Sequence, residues 1–123
     1  MNVFLVFLGG GLGAVSRYLL QGTIYRFTGQ TFPIGTMIVN IIGSFLIGLL
    51  ISSLEERFLV NPSLRLFLTV GILGGFTTFS SFSFETVSLF LEGSIFLAIA
   101  NVALSVIICL CATYLGTIVG RLV

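Results

Sequence analysis

The chain has 123 residues, of which 57% are hydrophobic and 7% are charged, and its formal net charge is +1. A soluble domain carries about 25% charged residues, so five basic and four acidic side chains cannot cover a soluble protein of this size. The composition therefore excludes an ordinary soluble domain. The five arginines are scattered along the chain, which argues against a nucleic-acid-binding surface.

Four apolar runs account for most of the chain, and each reaches or exceeds the length of about 18 residues that marks a spanning helix. They cover residues 3–20, 34–54, 66–91 and 94–119. The turns between them are short and leave no room for a soluble domain. We therefore predict an all-α membrane protein, in which residues 1–123 form a single four-helix transmembrane domain.

The first run is rich in glycine. Residues 9–14, with the sequence GGGLGA, superficially match a dinucleotide-binding fingerprint, but no strand precedes them and no βαβ unit fits the chain. Gly9 and Gly13 are instead spaced for close approach of two helices. Arg17 either extends to the membrane interface or places a positive charge in a vestibule that attracts anions.

The second run contains one carboxamide, Asn40, with Ser44 one helical turn later. The amide group of Asn40 offers two N–H donors that an anion could accept in place of water. The alternative is that Asn40 joins two helices through hydrogen bonds.

The third run contains the most informative segment, residues 74–83, with the sequence GGFTTFSSFS. Polar backbone near mid-membrane survives only inside protein or beside a water-filled path. We therefore predict that this helix is broken near its middle, with two half-helices flanking Gly74-Gly75, and that small polar groups there form an ion or solute site.

Aromatic and ionisable residues follow this break. Phe79 and Phe82 are three residues apart, which is usual for packing, but their positive ring edges could also meet a small anion without trapping it. Thr78 and Ser81 offer hydroxyl donors. Glu85 is ionisable within a spanning segment, so we expect it to be functional, either at the ion path or as an anchor for nearby donors.

The fourth run carries a polar ridge with a constant step of four residues, which predicts a path that wraps along the helix. Its members are Asn101, Ser105, Cys109, Thr113 and Thr117. The alternative is that the hydroxyl groups bond back to their own helix.

The arginines specify orientation weakly. If the helices alternate, Arg57, Arg65 and Arg121 fall on the side of the N-terminus, with Arg26 and Arg17 on the other side. A chain so balanced could insert in both directions, which would permit an antiparallel dimer.

These features together resemble the CrcB/Fluc family of fluoride channels over essentially the whole chain. The resemblance rests on residues 9–17, on Gly35-Thr36 through Asn40, and above all on residues 74–85. It implies an antiparallel dual-topology homodimer with two pores, in the inner membrane of a microbe, that exports fluoride passively.

The resemblance also implies residue roles. A structural sodium ion that is not transported would be held at the dimer centre by the backbone carbonyls of Gly74 and Thr77 of both subunits. Glu85 would end the pore segment, and Arg17 would support the vestibule. The fluoride pore would include Asn40, Thr78, Phe79, Ser81, Phe82, Ser105, Cys109 and Thr113. Cys109 replaces an expected hydroxyl with a weaker donor, and Asn101 stands where a tyrosine is expected.

Two other functions remain open, and catalysis is not expected, because the chain has no histidine and no cluster of carboxylates. A small proton-coupled multidrug exporter would share the size, but the first run lacks a membrane-embedded carboxylate. A structural membrane subunit would not require so many hydroxyl groups at mid-membrane.

Overall fold

The computed structural model of the protein describes residues 1–56 and 61–123. In these ranges the regular secondary structure is entirely helical. The elements are α1 (Asn2–Thr28), α2 (Ile34–Glu56), α3 (Pro62–Leu66), a π-helical segment (Phe67–Leu73), α4 (Gly74–Phe76), α5 (Phe79–Leu91) and α6 (Ile95–Leu122). Arg57, on which part of the predicted charge bias rests, lies outside the described residues.

Four segments of the described chain are long and apolar enough to cross a membrane. They are Asn2–Thr28, Ile34–Leu54, Pro62–Leu91 and Ile95–Leu122. The prediction of an all-helical, multi-pass membrane protein with four spanning segments is therefore confirmed. The third span combines α3, the π-helical segment, α4 and α5.

Glycines allow the spans to approach closely. A side-chain carbon on Gly13 would overlap the carbonyl oxygen of Ile72, and one on Gly9 would lie 2.8 Å from that of Phe67. α2 and α6 pack in the same manner, since a carbon on Gly116 would overlap the Phe45 carbonyl oxygen. The interpretation of Gly9 and Gly13 as helix-packing residues is confirmed.

The backbone of the third span changes at Thr77 and Thr78, not at the glycine pair. Both residues have extended backbone. Thr77 has φ −79° and ψ 156°, and Thr78 has φ −149° and ψ 116°. Gly74 and Gly75 are helical, which corrects our expectation that two half-helices flank them. The physical reason is packing: a side-chain carbon on Gly75 would lie 3.0 Å from the Cα atom of Gly10. Gly75 therefore allows α1 to approach, and the helix ends at the next residue, Phe76.

Candidate functional site

Asn40 on α2 holds the extended backbone between α4 and α5. Its Nδ2 donates to the carbonyl oxygen of Thr78 at 2.9 Å, and its Oδ1 accepts from the Thr78 N–H at 2.8 Å. The interpretation of Asn40 as a residue that joins two helices is thus confirmed. Because this pair uses only one of the two amide N–H groups, the other can still donate to a ligand.

Thr78 also begins α5. Its hydroxyl oxygen accepts from the Ser81 N–H at 3.2 Å, which is the usual cap of a helix N-terminus. The same hydroxyl group donates to Ser81 Oγ at 3.1 Å and lies 3.2 Å from Ser80 Oγ. The predicted donors Thr78 and Ser81 are therefore linked to each other at the start of this helix.

Phe79 and Phe82 lie together on the first turn of α5. Their ring centroids are 5.4 Å apart, and the ring planes are inclined by 50°. Phe82 is buried, whereas 76% of the surface of Phe79 is exposed. One ring therefore lines the protein interior, and the other projects from the single chain.

An open groove of about 400 Å³ lies beside the extended backbone and collects most of the predicted site residues. The predicted residues that line it are Asn40, Gly74, Thr77, Thr78, Phe79, Phe82, Ser105 and Cys109. Among the described residues that line the groove, none is charged. Ser81, Thr113, Arg17 and Glu85 lie outside its lining.

The polar ridge on α6 divides into two parts. Ser105 and Cys109 line the groove, and Asn101 and Ser105 are buried. Thr113 and Thr117 donate to the carbonyl oxygens four residues earlier, at 3.0 Å and 2.9 Å. The alternative of hydroxyl groups bonding back to their own helix therefore holds for the second part.

Arg17 reaches the extended segment from α1. Its Nη1 donates to the carbonyl oxygen of Thr77 at 3.2 Å. The guanidinium group therefore lies against the interruption of the third span. It supplies a positive charge beside the groove without lining it.

Glu85 lies in a separate hydrogen-bonded cluster that joins α1, α2 and α5. Its Oε1 accepts from the Thr36 hydroxyl at 2.7 Å and from the Tyr25 hydroxyl at 3.3 Å. Gln21 Nε2 donates to Thr36 Oγ1 at 3.0 Å. In the described part of the chain, the buried Oε2 of Glu85 has no hydrogen-bond partner.

Glu85 and Tyr25 line a second, more polar cavity of about 870 Å³. We did not single out Thr36 or Tyr25 from the sequence as site residues. The available signal for Thr36 was its position one helical turn before Asn40, which puts both side chains on one face of α2. Tyr25 gave no comparable signal, because its partners lie on other helices.

The fold and the site together define a small multi-pass membrane protein with an uncharged, mostly apolar groove that carries a few polar groups beside an interrupted span. Residues 4–117 match the family described as CrcB-like protein, Camphor Resistance (CrcB). The chain belongs to this family.

Curated relatives match the chain over nearly its full length. A protein of Magnetococcus marinus is 47% identical over 123 residues, which are 100% of both chains. A protein of Coxiella burnetii is 50% identical over 122 residues, 98% of each chain. One of Geotalea uraniireducens is 48% identical over 120 residues, 98% of this chain and 97% of the relative. All three are named "Fluoride-specific ion channel FluC".

Proposed function

We propose that the protein is a fluoride-selective ion channel in the inner membrane of a microbe, through which fluoride leaves the cell passively. The observation that carries the proposal is the groove that brings Asn40, Phe82 and Ser105 together beside an interrupted span. Relatives with 47–50% identity, named as fluoride-specific ion channels, support the same function.

The chemistry of the groove suits a small, strongly hydrated anion. Fluoride that leaves water needs replacement donors, which are the remaining N–H of Asn40 and the ring edges of Phe79 and Phe82. The Thr78 hydroxyl donates to Ser81 Oγ, so it can serve fluoride only by giving up that bond. None of these carries a full positive charge that would hold the anion too tightly. Arg17 raises the potential nearby without entering the path.

We further propose that two copies pair in antiparallel orientation and close the groove between them. The groove is open in the single chain, and Asn40, Thr78 and Ser105 are polar members of its lining. Polar groups that face hydrocarbon without partners are costly, so a lone chain would be poorly solvated in the bilayer. The weak arginine bias allows both insertion directions.

The residues around Gly74 fit the proposed structural sodium ion. The helical partner of the Gly74 carbonyl would be the Thr78 N–H, which instead donates to Asn40 Oδ1. Gly74 is exposed and lines the groove. The Thr77 carbonyl accepts from Arg17 and retains a second lone pair.

Carbonyls of this kind, two from each copy, are the oxygen ligands that hard cations prefer. When bound, sodium would supply a fixed positive charge at the dimer centre. We expect purified protein exchanged into sodium-free buffer with a large organic cation to lose fluoride flux, and to recover it when sodium returns. Full flux without sodium would contradict this part of the proposal.

The decisive experiment measures anion efflux from liposomes that contain the purified protein. Vesicles are loaded with fluoride or chloride in sodium buffer, valinomycin carries the countercharge, and an ion-selective electrode reads release. We expect rapid fluoride release without chloride release. Proton-coupled export of a cationic dye would instead support a multidrug exporter, and no flux from demonstrably dimeric protein would support a structural subunit.

A further inference from the structure

Two residues outside the groove, Thr86 and Asn101, link two residues that line it. Hydrogen bonds through them connect Phe82 on α5 to Ser105 on α6. The Thr86 hydroxyl donates to the carbonyl oxygen of Phe82 at 2.7 Å. Asn101 Nδ2 donates to Thr86 Oγ1 at 2.9 Å, and the Ser105 hydroxyl donates to Asn101 Oδ1 at 3.3 Å. Asn101 is only 1% exposed, so water does not compete for these bonds.

In this series of three hydrogen bonds, the direction of each bond follows from the direction of the one before it. A carbonyl oxygen can only accept, so the single hydrogen of Thr86 is used on Phe82, and the Thr86 oxygen must accept from Asn101. The amide N–H group therefore faces Thr86, which leaves the amide oxygen to accept from Ser105. The one hydroxyl hydrogen of Ser105 is thereby directed toward Asn101.

This polarity matters because Ser105 lines the groove. An anion is stabilised by a hydrogen-bond donor and repelled by oxygen lone pairs. With its hydrogen on Asn101, Ser105 offers only lone pairs to the groove. Fluoride must displace Asn101 as the acceptor before Ser105 can stabilise it.

We infer that Asn101 is a positioning residue that competes with fluoride for the hydroxyl hydrogen of Ser105 and so weakens anion binding at that point of the path. The inference rests on the proposed function, because it concerns how the same groove handles its ion. The benefit is rapid release, since a conducting site must bind an ion without retaining it.

The test measures fluoride current against fluoride concentration in planar bilayers that contain the full-length protein. Asn101→Leu removes the acceptor and keeps the number and branching of the side-chain heavy atoms. We expect the half-saturating fluoride concentration to fall about five-fold, which corresponds to about 1 kcal/mol, the typical contribution of one hydrogen bond. In the Ser105→Ala background the same substitution should cause no shift, because no hydrogen is left to release.

A second variant covers the case in which Asn101→Leu does not fold. Thr86→Val removes the acceptor that orients the amide group, so Asn101 can turn and Ser105 is no longer forced to donate to it. We expect a smaller shift in the same direction, again absent in the Ser105→Ala background. Thr23→Val is the matched control, because Thr23 makes the same bond to its own helix, 2.8 Å from Leu19 O, at an exposed position on α1.

The outcomes are distinguishable. A shift of equal size with and without the Ser105 hydroxyl would mean that Asn101 acts through packing, and would overturn the inference. Wild-type protein that conducts fluoride, combined with unshifted variants, would overturn the inference alone. Wild-type protein that conducts no fluoride would overturn the proposed function and this inference with it.

Discussion

Asn40→Leu should destabilise the protein by removing the side chain that holds the interrupted span. The substitution keeps the branching of the side chain but loses both hydrogen bonds to Thr78, at 2.9 Å and 2.8 Å, and leaves the N–H and the carbonyl of this buried residue unpaired. Hydrogen bonds between membrane helices contribute about 0.6 kcal/mol on average and up to about 1.7 kcal/mol. We therefore expect the free energy of unfolding to fall by about 1 to 3 kcal/mol.

The assay is reversible unfolding in mixed micelles of increasing SDS fraction, followed by far-UV circular dichroism because the chain has no tryptophan. Asn2→Leu is the control, since it makes the same chemical change at an exposed position at the start of α1. Asn40→Asp should fall between the two, because it keeps an acceptor for the Thr78 N–H. An unfolding midpoint for Asn40→Leu equal to that of Asn2→Leu would refute the reasoning.

Three further predictions concern the groove, the glutamate cluster and the helix contacts. Phe82→Ile should reduce fluoride efflux from liposomes more than Cys109→Ser does. The first change removes a buried ring edge, whereas the second replaces the thiol with the stronger hydroxyl donor. The reverse order would contradict the groove assignment. Thr36→Val should lower the free energy of unfolding in the same SDS assay by about 1.5 to 3 kcal/mol. The loss should exceed that of Tyr25→Phe, because the hydroxyl of Thr36 lies 2.7 Å from Glu85 Oε1 and that of Tyr25 lies 3.3 Å away. Equal effects would show that bond length does not rank the two donors. Gly13→Ala should prevent the close approach of α1 to the third span and lower the yield of folded protein measured by size-exclusion chromatography. Gly11→Ala should be tolerated, because Gly11 has open space around it. Equal yields would mean that the close contact is dispensable.

The spans could be predicted from the sequence because the membrane requires long apolar helices, and little else satisfies backbone hydrogen bonds in hydrocarbon. The packing role of Gly9 and Gly13 was also predictable, since their spacing on one helix face is a local property. The position of the interruption was not. Gly74-Gly75 suggested a bend, but glycine serves equally for close approach, and only the position of Gly10 on another helix distinguishes the two uses.

The partners within the site depend on contacts that sequence spacing does not contain. Asn40 and Thr78 are 38 residues apart, and Thr36 and Glu85 are 49 apart. On α6 the spacing of four predicted a polar path that wraps along the helix, but of its five members only Ser105 and Cys109 line the groove. The spacing could not predict that Ser105 would donate to the Asn101 side chain, whereas Thr113 donates to the carbonyl oxygen of Cys109, because the Asn101 amide is oriented by Thr86 on α5.

The interruption is held by other helices, so it can form a stationary site rather than a flexible hinge. The N–H of Thr77 donates to Leu73 O at 3.0 Å, and its carbonyl accepts from Arg17 on α1. Both backbone groups of Thr78 pair with Asn40 on α2. All four polar backbone groups at the two extended residues therefore have partners, and two helices must move before the backbone can change. In the proposed channel an anion would therefore meet the remaining N–H of Asn40 at a fixed position, without the cost of reorganising the backbone at each passage.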